Sequence, residues 1–355
     1  MFSSSYGVYF FHSNNPAVTV ITHPTISLVK YFGVRDESLR LPTRSSFALS
    51  LMNLFTKTTV SFNHGENKDK ILIENYEDEA GIEMVMAFIQ QFRKLYQIQK
   101  YFNVKSKNNF PTASGLASSG SGFAALSIAL AELCQLNLSR KELAALARLG
   151  SGSATRSIYG GMVFWHSGED AKGKDCFAET IFPADHWPEL RMIVIVISEQ
   201  PKSLSTRNAG KMIVKSPAYQ GWVDAAEKRI NSLIAAIQDK EIELVGSIME
   251  QDCLEMHHCL KQVGISYHTE ESNQVMTIIR GLREEKIDCY FTSDAGPQIK
   301  VLCLEHQVDL IINRIKEDFP NIRCLVSNIG NDPIVKKSLI NNSNECEPDP
   351  FSAKL

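Results

Sequence analysis

Residues 108–134, NNFPTASGLASSGSGFAALSIALAELC, pass from a Pro/Gly/Ser loop straight into an Ala/Leu-rich helix. Gly115, Gly120 and Gly122 permit close backbone approach and unusual dihedrals. Ser114, Ser118, Ser119 and Ser121 supply hydroxyl donors. The start of the following helix adds unpaired N–H groups and a positive dipole end, a combination that binds phosphate without a lysine. Composition alone also allows a flexible linker that happens to precede a helix.

The rest of the chain surrounds this element with mixed periodicities. Residues 17–31 are β-branched and alternating and read as one strand, and 45–62 give two more. Ile82, Met86, Phe88, Ile89 and Phe92 fall at helical spacing and predict an amphipathic helix over 81–100. A helix at 140–149 leads into a second Gly/Ser turn, 150–153, and a strand follows at 161–166. Residues 192–197 read as a fully buried strand. Helical patterns follow at 218–238, 241–263 and 272–285, then strands at 289–293 and 299–304, a helix near 306–318 and a strand at 323–326. Strand, helices, strand, strand, helix, strand is a ferredoxin-like α+β order. The expected division is 1–185, 186–340 and a polar, disordered tail at 341–355.

Composition limits the classes of function. With 355 residues and 44 % apolar side chains the chain can bury a large core. Net charge is −3, from 37 basic and 40 acidic residues, so no broad positive field awaits nucleic acid or an anionic membrane. No apolar run approaches the ~18–20 residues that span a bilayer, and residues 1–15 lack the basic start of a signal peptide. Eight cysteines without a C-x-x-C pair suit reduced thiols in the cytoplasm. The cluster Cys253, His257, His258 and Cys259 has helical spacing and apolar neighbours, so it reads as packing rather than a metal site.

Four stretches carry a resemblance. KNNFPTASGLASSGSGFAAL at 107–126 resembles the phosphate loop of the diphosphomevalonate decarboxylases, which belong to the GHMP kinases. GSGSATRSIYGG at 150–161, SLVKYFGVRDESLRLPTRSS at 27–46 and FTSDAGPQIKVL at 291–302 resemble further motifs of that family, in family order. The resemblance implies a GHMP kinase fold, with an N-terminal ribosomal-protein-S5-like domain and a C-terminal ferredoxin-like domain. It implies ATP-dependent decarboxylation of mevalonate 5-diphosphate to isopentenyl diphosphate, with ATP and Mg²⁺ as cofactors, often in a homodimer. Related readings are a phosphomevalonate decarboxylase, a mevalonate 3-kinase-like enzyme, or a metabolite-binding paralogue without catalysis.

By spacing alone Asp294 is a turn aspartate and Lys30 a strand-end lysine. The resemblance instead implies that Asp294 and Lys30 meet at the substrate's tertiary hydroxyl, and that Arg156 holds its carboxylate or phosphates. It implies nucleotide contacts from Pro111, Gly115, Leu116, Ala117, Ser118, Ser119 and Gly120, with Ser119 also near the metal. Tyr31, Ser151, Gly152, Ser153, Arg156 and Arg207 are implied as substrate contacts. The chain departs from the family at Val34, where a diphosphate-binding lysine is usual, at Arg44, where asparagine is usual, and at Gln298. The expectation is that Arg44 or Arg35 restores the lost charge; the alternative is a distal phosphate that is loosely held or absent, the latter pointing to the 5-monophosphate as substrate.

Overall fold

A computed structural model describes residues 15–74, 79–111, 118–198, 204 and 206–340. The chain begins with β1 (Asn15–Thr22) and β2 (Thr25–Val29). The single strand expected over 17–31 is thus two, because it breaks at His23 and Pro24, and proline has no N–H for a ladder. The break lets β1 and β2 enter different sheets. Next come β3 (Val34–Asp36), β4 (Leu41–Pro42), β5 (Ser46–Ser50), β6 (Thr56–Phe62) and β7 (Lys70–Ile73). Helix α1 (Glu79–Tyr96) buries Phe88, Ile89 and Phe92. Met86, assigned to the same face from its spacing, is 40 % exposed, and half-buried Val85 packs against the core in its place. Strand β8 (Phe102–Asn108) was not anticipated; it pairs with β6 and β7 and delivers the chain to the Gly/Ser loop.

Helix α2 (Ser118–Leu133) is buried on nearly every side. Its small residues explain how it seats so closely: the Ser121 hydroxyl lies 2.6 Å from that of Thr56, and the Thr22 hydroxyl donates to the Ser121 carbonyl at 2.8 Å. Helix α3 (Arg140–Gly150) starts at a capping box in which Ser139 and Glu142 satisfy each other's backbone N–H groups. The turn after it forms the short α4 (Ala154–Ser157), followed by β9 (Met162–Trp165) and β10 (Ala178–Phe182).

The second half runs β11 (Leu190–Val196), α5 (Thr206–Ile213), α6 (Tyr219–Asp224), α7 (Ala226–Gln238), α8 (Ile242–Gln262), α9 (Glu270–Glu284), β12 (Cys289–Thr292), β13 (Ile299–Leu304), α10 (Val308–Asp318), β14 (Arg323–Ser327) and β15 (Ile334–Ile340). Among the described residues the strands form sheets ordered β15-β1-β6-β8-β7, β10-β9-β5-β2, β12-β13-β11-β14 and β3-β4. The third has the expected ferredoxin-like order, with β11 central and antiparallel to both neighbours. Strand β15, which the sequence placed with the second unit, instead pairs along β1, from Asn15 against Ile340 to Ile21 against Ile334. The chain therefore returns to its first sheet. The tail expected to be disordered lies outside the described residues.

Buried Cys289 and Cys303 face each other across β12 and β13 as free thiols. Burial pushes both up to about 12.

Candidate active site

A cavity of about 1090 Å³ opens between the start of α2, the α3–α4 turn, α5 and the end of β12. Its lining gathers residues far apart in the chain, including Tyr31, Ser119, Gly152, Arg156, Arg207 and Asp294. On one wall, hydroxyls converge: Ser119 Oγ lies 3.2 Å from Ser151 Oγ, which lies 3.2 Å from Ser153 Oγ. Two glycines permit this approach. A Cβ on Gly120 would lie 2.7 Å from Ser153 Oγ, and one on Gly152 would lie 2.3 Å from Tyr31 Oη. Ser118 also lines the cavity, whereas Pro111 does not. Gly115, Leu116 and Ala117 lie outside the described residues.

Asp294 lines the same cavity; Lys30 does not, and reaches it indirectly, with Nζ 2.8 Å from Asp294 Oδ1. Lys30 follows the end of β2 and is 1 % exposed, while Asp294 sits on the turn after β12. Lys300, on β13, was missed by sequence reasoning. Its Nζ lies 3.2 Å from Asp294 Oδ2, and it is wholly buried. The signal was available: position 300 belongs to the apolar run 299–304, where a buried lysine requires an anionic partner. Burial alone would raise the Asp294 carboxyl, but Lys30 and Lys300 outweigh it and hold the group well below the usual carboxylate range. Burial lowers Lys300, and Asp294 opposes that shift. A depressed folded-state pKa means that Asp294 contributes stability above its ordinary value near ~3.9 and loses it as pH falls further.

Arg156 is 3 % exposed and donates from Nη1 to Ser46 Oγ at 2.7 Å. It lines the cavity, so its guanidinium fork can reach a ligand there. Burial lowers it to about 10, against the pull of Asp294, so it stays cationic at neutral pH. Tyr31 packs on Trp165 with ring centroids 4.6 Å apart, and burial raises its phenol to about 12.

Two family models match the chain: the diphosphomevalonate decarboxylase-like N-terminal domain over residues 22–178 and the mevalonate 5-diphosphate decarboxylase C-terminal domain over 192–351. The diphosphomevalonate decarboxylase of Candida albicans is 32 % identical over 320 residues, 85 % of this chain and 88 % of the relative. The chain belongs to the diphosphomevalonate decarboxylase family. The Bos taurus relative is 31 % identical, over 87 % of this chain and 82 % of its own. Among solved structures, the mevalonate diphosphate decarboxylase of Enterococcus faecalis aligns with a TM-score of 0.84 at 35 % identity, covering 91 % of this chain and 100 % of its own. The Staphylococcus aureus enzyme gives 0.84 at 32 % identity, with 91 % and 98 % covered. A further neighbour, at 0.85 and 35 %, with 91 % and 100 % covered, is a complex with MVAPP, AMPPCP and magnesium.

Within this family the two proposed replacement cations are engaged elsewhere. Arg44 is 2 % exposed, pairs with Asp252 at 2.9 Å and stacks 3.8 Å over the Trp222 ring. Arg35 donates to the Ser167 and Asp170 carbonyls. Neither lines the cavity, so the expectation that one of them restores the charge lost at Val34 fails. Arg44 is held inward by the Trp222 ring and by Asp252, which compensates its charge. The cavity's cationic lining is Arg40, Arg207 and Lys211; Lys211 pairs with Glu37 at 2.6 Å, and its neighbour Gly210 packs against Gly33, beside Val34.

Cys253 and Cys259 of the Cys/His cluster are buried in the core, and His258 lies 3.0 Å from the Gln262 amide. Among the described residues no group of three or more His, Cys, Asp or Glu could hold a metal ion. His257 and His268 instead bracket the Ser293 hydroxyl at 2.8 and 2.7 Å. Burial keeps both imidazoles neutral, with His257 well below its ordinary value and His268 lowered to about 4. Unfolded histidines bind protons below pH ~6.5 while these do not, so acid favours unfolding. The denaturation midpoint is expected to fall as pH drops from 6.5 toward 4, and to fall less in His268→Asn. Parallel urea titrations of the two proteins check this; equal losses would refute it.

Proposed function

We propose that this chain is an ATP-dependent carboxy-lyase that converts mevalonate 5-diphosphate to isopentenyl diphosphate, releasing ADP, phosphate and CO₂, in the mevalonate route to isoprenoids. The observation that carries this reading is Asp294, paired with buried Lys30, facing a serine-lined helix start across one cavity. Nucleotide phosphates would lie against Ser118, Ser119 and the first turn of α2. The apolar arm of the cavity, with Ile71, Ile73, Val85 and Val104, suits the base. Mg²⁺ fits a site of this kind because it binds substrate phosphates and keeps its waters, requiring little from the protein beyond a hydroxyl such as that of Ser119. When bound, it neutralises phosphate charge.

The chain's own residues set the reacting geometry. Asp294 accepts a hydrogen bond from the substrate's tertiary hydroxyl and directs its oxygen toward the γ-phosphoryl group. A carboxylate held well below its usual range by two ammonium groups is a weak base. Its main contribution is therefore alignment, and it takes the proton late, once the arriving phosphoryl group has made the hydroxyl acidic. Lys30 stabilises charge on that oxygen during transfer and again as phosphate departs. Loss of phosphate leaves positive charge at C3, and the carbon–carbon bond to the carboxylate breaks to supply electrons. Arg156 holds the carboxylate, with Tyr31, Ser151, Gly152, Ser153 and Arg207 around the remainder of the substrate. A cytoplasmic location accords with free buried thiols, and no helix among the described residues is long and apolar enough to cross a membrane. A homodimer belongs to the same proposal and is tested by sedimentation.

Val34 favours a second reading in which the 5-monophosphate is the preferred substrate. One coupled assay of ADP and CO₂ with mevalonate, its 5-phosphate and its 5-diphosphate separates the readings. The expected result is equimolar ADP and CO₂ with the diphosphate. ADP alone would mean a kinase, and neither product a binder. In the same assay Lys211→Ala is expected to raise KM for the diphosphate by about tenfold and to leave the monophosphate KM within twofold, the scale of one charge-assisted contact. Equal effects on both substrates would remove Lys211 from distal-phosphate recognition.

A further inference from the structure

Helix α8 places two buried acceptors, Asp252 and Cys253, side by side, and each takes a backbone N–H beside the Lys30–Asp294 pair. Asp252 Oδ2 accepts from the N–H of Lys30 at 2.6 Å. Cys253 Sγ accepts from the N–H of Ser293, the residue before Asp294, at 3.2 Å. Both acceptors are fully buried. Neighbouring helical residues diverge by about 100°, so one turn of α8 reaches the end of β2 with one side chain and the end of β12 with the next. We propose that Asp252 and Cys253 are positioning residues that act as a bracket, fixing the separation between the Lys30 ammonium and the Asp294 carboxylate.

Further contacts make the bracket rigid. Asp252 is itself held by Arg44 at 2.9 Å and Arg229 at 3.0 Å, so its carboxylate has little freedom to follow a displaced Lys30. Ser293 is fixed through its hydroxyl by His257 and His268, and this hydroxyl also lies 3.4 Å from Cys253 Sγ. Neither acceptor lines the cavity, and both are engaged by buried backbone N–H groups. A sulfur accepts hydrogen bonds weakly but directionally, and an orphaned buried N–H is costly. The Ser293 amide thus keeps the turn in one place only while Cys253, or another acceptor of similar reach, stands opposite.

This inference rests on the reading of Lys30 and Asp294 as the catalytic pair, and wild-type turnover tests that reading separately. The bracket is tested in the apo protein by following the Asp294 carboxyl with ¹³C-labelled aspartate through an acid titration. Asp294 faces Lys30 beyond β2, Lys300 on β13, Arg156 on α4 and His257 on α8. In Cys253→Ala the pair loosens, and the Asp294 midpoint is expected to move up toward the ordinary carboxylate range. The kcat should fall about tenfold with the nucleotide KM unchanged, since small misplacements of reacting groups carry penalties of that order. Cys253→Ser, whose hydroxyl can accept the same N–H, should restore both. Replacing the buried pair together, in Arg44→Leu/Asp252→Leu, removes the acceptor for the Lys30 amide without stranding a charge and should shift Asp294 in the same direction. An Asp294 midpoint that stays at its wild-type position in both variants overturns the bracket, as does a kcat loss that Cys253→Ser does not recover.

Discussion

Asp294→Asn is expected to lower kcat by about 10²–10⁴-fold, the range attributed to a positioned acid–base group, while binding of a non-hydrolysable ATP analogue remains within threefold of wild type. The amide keeps the shape of the side chain but cannot compensate Lys30 at 2.8 Å and Lys300 at 3.2 Å. Two buried ammonium groups would then face each other without an anion, so at least one gives up its proton or turns away, and the alcohol loses its alignment. Nucleotide affinity is spared because Ser119 and the start of α2 form a separate wall of the cavity. Steady-state ADP release gives the first quantity and titration calorimetry the second. Turnover within threefold of wild type would exclude Asp294 from the chemistry. Because Asp294 is ionised throughout the neutral range, wild-type kcat should show no acid limb from this group above pH ~4; Lys300→Met should bring that limb upward.

The largest expected effect on stability lies outside the cavity. Asp252→Ala should destabilise the protein by roughly 3–5 kcal/mol, the scale seen when one partner of a buried pair is removed. Asp252 is wholly buried and compensates Arg44, which is also buried and stacked on Trp222. Its loss leaves the Arg44 charge without an anion and the Lys30 amide without an acceptor. Arg229 suffers less, because it also pairs with Glu255. The double replacement Arg44→Leu/Asp252→Leu should recover most of the stability, since apolar side chains of similar volume often substitute for a buried pair at little cost. Urea denaturation of the two variants provides the comparison. A double variant as unstable as Asp252→Ala would show that the charges themselves hold these elements together.

Much of this was legible in the sequence because it is local. A Gly/Ser loop ahead of an Ala/Leu helix, a second Gly/Ser turn and a β-α-β-β-α-β alternation depend on residues close in the chain. Lys30, Arg156 and Asp294 could be singled out from the motifs around them. What was not legible depends on neighbours supplied by distant segments. Lys300 looked like one more strand residue until β13 placed it against Asp294. The break between β1 and β2 needed only Pro24 to be weighed more heavily. The return of β15 to pair with β1 had no local signal, because an exposed edge strand with two lysines resembles a loop.

Backbone propensity and motif spacing act over a few residues, so most helices, and the residue types able to meet a phosphorylated acid, could be read from the chain alone, while β8 and β15 could not. Which cations serve the cavity was left to packing: Arg44 is spent on Asp252, Lys300 is committed to Asp294, and Lys211 lines the cavity wall. The physical reason is that a buried charge takes the nearest available counter-charge, and nearness across 264 residues, as between Lys30 and Asp294, is set by packing alone.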